Sequence, residues 1–258
     1  MSSRHHARER IGRWLGRRGQ PWRTRSDPVR GRRHALREEV GYWRDWLMTR
    51  GGRWSEEYAY RFDPSSEVAD SALREVIADL PQGEVSVLDV GSGPASMVGY
   101  RFPGKAIALV AVDPLADEYD RLLEDAHLVP PVRARRMEGE RLLEEFGTAR
   151  FDVAYARNAL DHAVDPALIV ENMLAVVRPG GYVVLRHVRN EAVRQAYVQL
   201  HQWNLDHNDG RLIAWRPDRE TDLTASLAGR AEVKCYVESS DEDQSIEWIV
   251  CVMRKLPS

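Results

Sequence analysis

A strand that runs directly into glycines leaves a chain few folds to choose from. Residues 85–90 form a short apolar run of that kind, and the chain there reads Val87-Leu88-Asp89-Val90-Gly91-Ser92-Gly93-Pro94-Ala95-Ser96. Glycine lets the backbone turn tightly and lets a ligand approach it closely. In an open α/β sheet such a turn lies at the carboxyl end of a strand, where ligands bind. The spacing is not that of the dinucleotide fingerprint G-x-G-x-x-G, because Ser96 stands where the third glycine belongs. A second apolar run, residues 106–112, ends in Asp113-Pro114, 24 residues beyond Asp89. An acid at that point can accept hydrogen bonds from both hydroxyls of a ribose.

The flanking segments have the matching pattern. The segment 133–137 is read as a third strand, apolar runs at 151–156 and 182–185 predict two more, and stretches at 116–126 and 166–177 predict helices between them. Strands alternating with helices form parallel units with right-handed crossovers, and so an open doubly wound sheet. Asp165-Pro166 reads as the cap and first turn of the helix it precedes. Upstream, Val68, Ala72, Leu73, Val76, Ile77 and Leu80 make a helical stripe over 67–80. Leu36, Val40, Trp43 and Leu47 predict a helix over 35–50, stopped by Gly51-Gly52. Trp43, Trp46 and Trp54 suit either core packing or a lid over a ligand. Beyond the fifth strand the expectation is a helix over 191–203, a polar loop over 204–210, a short strand over 212–215 and a helix over 221–227. Two strands, 232–237 and 246–253, close the chain around an acidic loop.

Charge and composition narrow the classes. No apolar run approaches the roughly 20 residues needed to span a bilayer. No apolar signal-peptide core is present either, so the chain is expected to be soluble and cytoplasmic. Residues 1–37 carry twelve Arg against Glu9 and Asp27, a net +10 on a body of −13. A basic arm on an acidic body invites a nucleic-acid or membrane reading. With only Ile11, Trp14, Leu15 and Trp22 as larger apolar residues, the arm lacks a stacking platform for bases. A solvated, flexible arm over 1–34 is therefore expected, and RNA binding is the weaker reading. Cys235 and Cys251 are not in a C-x-x-C spacing, which excludes a cysteine-rich zinc site. Both are expected to be buried as small hydrophobes.

From about residue 68 to residue 256 the chain resembles the class I S-adenosylmethionine-dependent methyltransferases, and among them the small-molecule type with a seven-stranded sheet. Residues 87–93 resemble the glycine-rich first motif, whose loop holds the amino-acid part of the cofactor. Asp113 resembles the ribose-binding acid. Glu138-Gly139-Glu140 sits where the family often has an acidic-small-acidic stretch beside the adenine. The run from Phe151 to His162 resembles the fourth strand and its following loop, and that from Leu174 to Tyr182 the helix-turn-strand before the fifth strand. Pro94 departs from the family's small residue, a change a first helical turn tolerates. The fold implied is a Rossmann-like doubly wound α/β sheet, mostly parallel with an antiparallel C-terminal strand. An N-terminal helical extension precedes it, with residues 35–66 as a lid or cap and 67–258 as the methyltransferase domain. The cofactor contacts implied are Asp89, Gly91, Ser92, Gly93, Asp113, Pro114, Glu138, Gly139 and Asn158.

Methyl transfer is a direct displacement, so an enzyme supplies positioning, and a base when the acceptor is a hydroxyl. By the resemblance, the loop after the fourth strand faces the cofactor. That makes His162 the candidate base, with Asp161 to orient it, act as base itself or bind a metal. His187, Asn190 and Glu191 border the acceptor site. The runs Asn158 to His162, His187 to Ala192 and His201-Gln202-Trp203-Asn204 are similar to bacterial methyltransferases associated with glycan assembly. That similarity implies a sugar hydroxyl as acceptor and polysaccharide biosynthesis as the setting. The cluster over 201–210 mixes aromatic and polar groups as saccharide sites do, or is a polar surface loop. Some sugar O-methyltransferases need a divalent metal, and Asp161, His187 and Glu191 are the candidate Mg²⁺ ligands. Open alternatives are an O- or N-methyltransferase of another natural product, an RNA methyltransferase using the arm, and a silent scaffold. Homodimerisation through the aromatics of the N-terminal helix is a further expectation.

Overall fold

A computed structural model describes residues 28–239 and 245–257. Its first six strands are β1 (Gly83–Val90), β2 (Arg101–Phe102), β3 (Lys105–Asp113), β4 (Arg135–Arg136), β5 (Phe151–Arg157) and β6 (Val177–Val188). The rest are β7 (Asn204–Asn208), β8 (Arg211–Arg216), β9 (Arg219–Asp222), β10 (Ala231–Ser239) and β11 (Glu247–Lys255). Strand β1 is central because it is apolar on both faces: Val85, Val87, Leu88 and Val90 are all buried. It pairs in parallel with β3 on one side and β5 on the other. Beyond β5 come β6 in parallel, then β11 and β10, each antiparallel to its neighbour. The outer edge of β3 is shared by the short β2 and β4. The expected seven strands are all present, and β2 adds an eighth. After β3 and β4 the chain returns to the other side of β1. This reversal makes the carboxyl ends of β1 and its neighbour β5 the switch point, where open sheets of this kind bind ligands.

Seven helices accompany the strands among the described residues: α1 (Pro28–Met48), α2 (Ser55–Phe62), α3 (Ser71–Asp79), α4 (Ala116–Asp125), α5 (Leu142–Phe146), α6 (Pro166–Val176) and α7 (Glu191–Arg194). Helix α1 begins seven residues earlier than expected. Proline is tolerated in a first turn, and Gly31 and Ala35 are buried, so the last part of the basic arm is helical. Residues 1–27, with Trp14 and Trp22, lie outside the described residues, as do residues 240–244 of the acidic loop. Helix α3 starts only at Ser71 because the Asp70 carboxylate accepts from the Leu73 N–H and caps it. The preceding residues bind an edge strand instead, with the Val68 N–H donating to the Arg101 carbonyl. Helix α2 lies inside the aromatic segment and has no separate sequence stripe.

The segment after β6 departs most from expectation. The helix foreseen over 191–203 is only the four residues of α7. Ala196, Tyr197 and Gln199 have φ of 63°, 54° and 53°, a left-handed backbone no helix sustains. The foreseen loop is strand β7 and a two-residue turn, with Asp209 and Gly210 at φ of 51° and 79°. An Asp-Gly pair is well suited to positive φ at both turn positions. The helix foreseen over 221–227 is β9 followed by a turn, where the Asp222 carboxylate accepts from the N–H and hydroxyl of Thr224. Strands β7, β8 and β9 thus form a three-stranded antiparallel sheet inserted before β10.

Helix α6 packs with the inserted sheet on one core, and α3 covers the other. Cys235 and Cys251 face each other across β10 and β11 as buried free thiols. No helix among the described residues is long and apolar enough to cross a membrane. The buried Lys105 ammonium donates to the carbonyls of Ile77, Ala78 and Leu80 at the end of α3. A helix end leaves such carbonyls unsatisfied and partly negative, so a cation there counters both. Lys105→Met is expected to lower stability by about 3 kcal/mol in urea denaturation, since buried acceptors lose their donor. A loss below about 1 kcal/mol would show that water replaces the ammonium.

Candidate active site

The loop Gly91-Ser92-Gly93 leaves β1 and is fastened to the end of β3, where the N–H groups of Gly91 and Ser92 donate to the Val112 carbonyl at 2.8 and 3.2 Å. From the far side the Arg61 guanidinium donates to the carbonyls of Ser92 and Ala95, and is itself paired with Glu57 at 2.8 Å. The Ser92 hydroxyl donates to the Gly93 carbonyl. Asp89, buried at the end of β1, accepts from the Ser96 hydroxyl at 2.6 Å and braces the loop from within. Burial pushes its carboxyl up to about 6 despite that hydrogen bond.

Asp113 ends β3 beside this loop. One carboxylate oxygen accepts from the Gly93 N–H at 3.0 Å and the other from the Leu115 N–H at 2.8 Å, across Pro114. Each oxygen keeps a second lone pair. Burial pushes this carboxyl up to about 7, against the pull of the two N–H groups. Above Gly93 lies the indole of Trp43 from α1: a Cβ added to Gly93 would meet its ring at 2.9 Å. Trp43 donates through its Nε1 to Glu39 and stacks edge-on with Tyr119. The N-terminal helix therefore covers the glycine loop.

Gly139 is buried because Ile169 of α6 packs against it, where a Cβ would be 2.9 Å from that side chain. Its neighbour Glu140 accepts from the N–H groups of Val164 and Asp165, while Glu138 is exposed. The Asp165 carboxylate caps α6 through the N–H groups of Ala167 and Leu168, with Pro166 in the first turn, as expected. Asn158, at φ 48°, accepts through its side chain from the Val188 N–H and ties the end of β5 to the end of β6.

Beyond Asn158 the structure assembles a group that spacing does not reveal. The Asp161 carbonyl accepts from the N–H groups of Gln202 and Trp203 at 3.0 and 3.1 Å, which brings residues forty apart side by side. His201 Nδ1 then lies 2.6 Å from Asp161 Oδ2 and 3.1 Å from His162 Nε2, and His162 Nε2 is 3.5 Å from the same carboxylate oxygen. Burial would raise the Asp161 carboxyl, but His162, the His201 hydrogen bond and the charges of His201 and His187 outweigh it and hold it at about 2. Burial opposes a charge on His201, yet the bond to Asp161 leaves its pKa raised. Arg32 of α1 donates to the His162 carbonyl at 3.3 Å, so the covering helix reaches this group too.

His187 is 1% exposed and within electrostatic reach of Asp161 and His162, and burial depresses its pKa to about 4. Among the described residues neither ring nitrogen has a hydrogen-bond partner, and neither does Asp161 Oδ1. Glu191 is occupied on its own helix, accepting from Gln195 and pairing with Arg194. The set Asp161, His187 and Glu191 is therefore not the one that converges; His162 and His201 join Asp161 instead. Two imidazoles and one carboxylate are a poor match for Mg²⁺, which favours oxygen donors, and the magnesium expectation is corrected on that ground. The saccharide-like cluster is also dispersed. Gln202, Trp203 and Asn204 are buried, with Trp203 donating to the Ala163 carbonyl and Asn204 to the Tyr197 hydroxyl. Asn190 accepts from the Trp215 indole, and His207 accepts within the β7–β8 turn. Of that cluster His201 brings its side chain to the Asp161 carboxylate, while Gln202 and Trp203 meet Asp161 through their backbone N–H groups.

An open sheet with this strand order, a glycine loop after its first strand and an acid after the next define the class I methyltransferase architecture. The methyltransferase-domain family matches residues 35–228, and the chain belongs to it. A crystal structure of the Burkholderia thailandensis 1,6-didemethyltoxoflavin-N1-methyltransferase, bound to 1,6-didemethyltoxoflavin and S-adenosylhomocysteine, shares the fold. It has a TM-score of 0.51 and 19% identity, over 88% of this chain and 91% of that one. An uncharacterized methyltransferase of a Mycobacterium species is 30% identical over 125 residues, 48% of this chain. A hybrid PKS-NRPS synthetase of Penicillium oxalicum is 24% identical over 184 residues, 68% of this chain. These alignments span 46% of the mycobacterial protein and 4% of the fungal synthetase.

Proposed function

We propose that this protein transfers a methyl group from S-adenosylmethionine to a hydroxyl of a small molecule, with saccharide-bearing metabolites as the first acceptor class to test. The single observation that carries the cofactor half is Asp113. It is buried at the carboxyl end of β3, fixed by two backbone N–H groups, and keeps one lone pair on each oxygen for a ribose hydroxyl. The Gly91–Gly93 loop fits the amino-acid part of the cofactor, and the Trp43 indole closes over it and excludes water. The bound cofactor supplies an electrophilic methyl group on a sulfonium centre.

With the cofactor bound, the acceptor oxygen would take the methyl group in a displacement that leaves a neutral thioether, and residues of this chain would have to receive the one proton released. A hydroxyl is a weak nucleophile until that proton is lost or its pKa is lowered. We assign that task to the Asp161, His162 and His201 group, with the buried His187 within its electrostatic reach and Glu191 as a further candidate. The hydroxyl reading is preferred because a hydroxyl attacks only as its proton leaves, whereas an amine that has reached its neutral form already carries the attacking lone pair.

Calorimetric titration with S-adenosylmethionine and S-adenosylhomocysteine, with NAD as control, tests the reading. Both sulfur compounds are expected to bind at about −8 kcal/mol, the micromolar range, and NAD is not. Transfer of labelled methyl to a panel of saccharides and other alcohols then identifies the acceptor. A folded sample that binds neither sulfur compound removes the cofactor assignment. Transfer only to amines removes the hydroxyl assignment.

A further inference from the structure

We propose that Asp161 Oδ2, His162 Nε2 and His201 Nδ1 form a binding site for one divalent transition metal of the zinc class. The three atoms already stand as the corners of a triangle with sides of 2.6, 3.1 and 3.5 Å. A zinc-class ion held at about 2.1 Å from each ligand requires corners about 3.0–3.4 Å apart. Two of the sides are close to that range, and the third opens by a side-chain adjustment of under about 1 Å.

The geometry of the group favours a cation. His201 Nδ1 is close to both the carboxylate oxygen and His162 Nε2. A single N–H directed at Asp161 leaves His162 Nε2 either facing the same N–H off-axis or presenting a proton of its own to it. A metal ion meets all three lone pairs at once. The donor set selects its class: imidazole suits zinc, iron and copper, whereas magnesium and calcium take oxygen.

The site is held by the fold. Asp161 and the 201–203 segment are locked by the Gln202 and Trp203 N–H bonds to the Asp161 carbonyl, and the Trp203 indole is anchored on Ala163. The Asp161 side chain is 5% exposed while those of His162 and His201 are 21% and 20% exposed, so the ligands converge beneath an opening. A second observation points the same way: the second Asp161 oxygen and both nitrogens of His187 are buried beside the group with no partner among the described residues. Three protein ligands leave a position for an oxygen from outside. If the methyltransferase reading holds, that oxygen is the acceptor hydroxyl, whose pKa the metal lowers. Metal binding itself does not depend on that reading.

The test is titration of chelator-treated full-length protein with Zn²⁺ by calorimetry, and with Co²⁺ by visible absorption. S-adenosylhomocysteine binding is measured on the same samples. One ion per chain is expected, with Co²⁺ bands of a site containing nitrogen ligands. His201→Ala and Asp161→Asn are expected to weaken Zn²⁺ by at least about 100-fold, and His201→Gln serves if His201→Ala fails to fold. A folded protein that binds S-adenosylhomocysteine but neither metal overturns the proposal and leaves the methyltransferase reading intact. Undiminished Zn²⁺ binding in the variants also overturns it, because the ion is then held elsewhere. Variant-sensitive metal binding without S-adenosylhomocysteine binding supports the site and overturns the cofactor reading.

Discussion

Asp113→Ala is expected to weaken S-adenosylmethionine and S-adenosylhomocysteine by about 100-fold or more, because two hydrogen bonds to a carboxylate are lost. Its oxygens are already oriented by the N–H groups of Gly93 and Leu115, so on the proposed reading no reorganisation is needed before a ribose binds. Calorimetry reads the loss directly, and unchanged affinity would remove Asp113 from the cofactor site. The same residue sets a pH dependence. Burial raises its pKa from 3.8 to about 7, so between those values the folded, ligand-free protein binds more protons than the unfolded chain. Its stabilising contribution is complete below 3.8 and is lost as pH rises through 7. Relative to Asp113→Asn, the wild type should lose about 4 kcal/mol of stability over that window. The comparison isolates Asp113 from Asp89, which titrates in the same sense, and from His187, which titrates in the opposite one. Cofactor affinity should run the other way and rise with pH up to about 7, because the ionised carboxylate is the better acceptor. A difference in stability that does not vary with pH would contradict the assignment.

Gly91→Val is expected to cost about 3–5 kcal/mol, from a strained backbone and overpacking together. Gly91 has φ 74°, and a Cβ there would lie 2.4 Å from the Ala159 Cβ. The nearest obstacle is thus the loop after β5 rather than the path of the cofactor. Because the clash is at Cβ, Gly91→Ala should carry much of the penalty. Adding Ala159→Gly should return at least about 1 kcal/mol of it, a coupling between touching residues measurable by urea denaturation of the double-mutant cycle. Additive effects would mean that the loop has moved aside. Gly93 is small for a different reason, the overlying Trp43 ring, so its substitution should disturb α1 rather than the β5 loop.

The parts of the fold legible in the chain are those governed by local rules. Strands β1, β3, β5, β6, β10 and β11 stand out as apolar runs, and α4 and α6 lie within a residue of their expected ends. Asp165-Pro166 announced a helix start because a cap acts over two or three residues. The segment after β6 misled for the same reason. Residues 191–203 have helical composition, but a chain of left-handed residues breaks the helix after Arg194. The Asp209-Gly210 turn was present as a signal, yet its polar flanks read as a loop until pairing with β8 made them strand β7.

The site divides along the same line. Gly91, Gly93 and Asp113 were evident from spacing, because strand, turn and strand follow one another directly in the chain. His162 and Asp161 were evident as neighbours. The partnership of Asp161 with His201 was not, since two backbone hydrogen bonds across forty residues create it. Nor was the retreat of Trp203 and Asn204 into the core, which depends on packing against the inserted sheet. Residue order determined the strand–glycine loop–strand–acid frame, because periodicity and turn chemistry act between near neighbours. Which side chains meet around Asp161, and which hydrogen bonds leave His187 without a partner, was decided only when distant segments closed on each other. Convergence of that kind is set by tertiary packing and leaves no periodic trace in the chain.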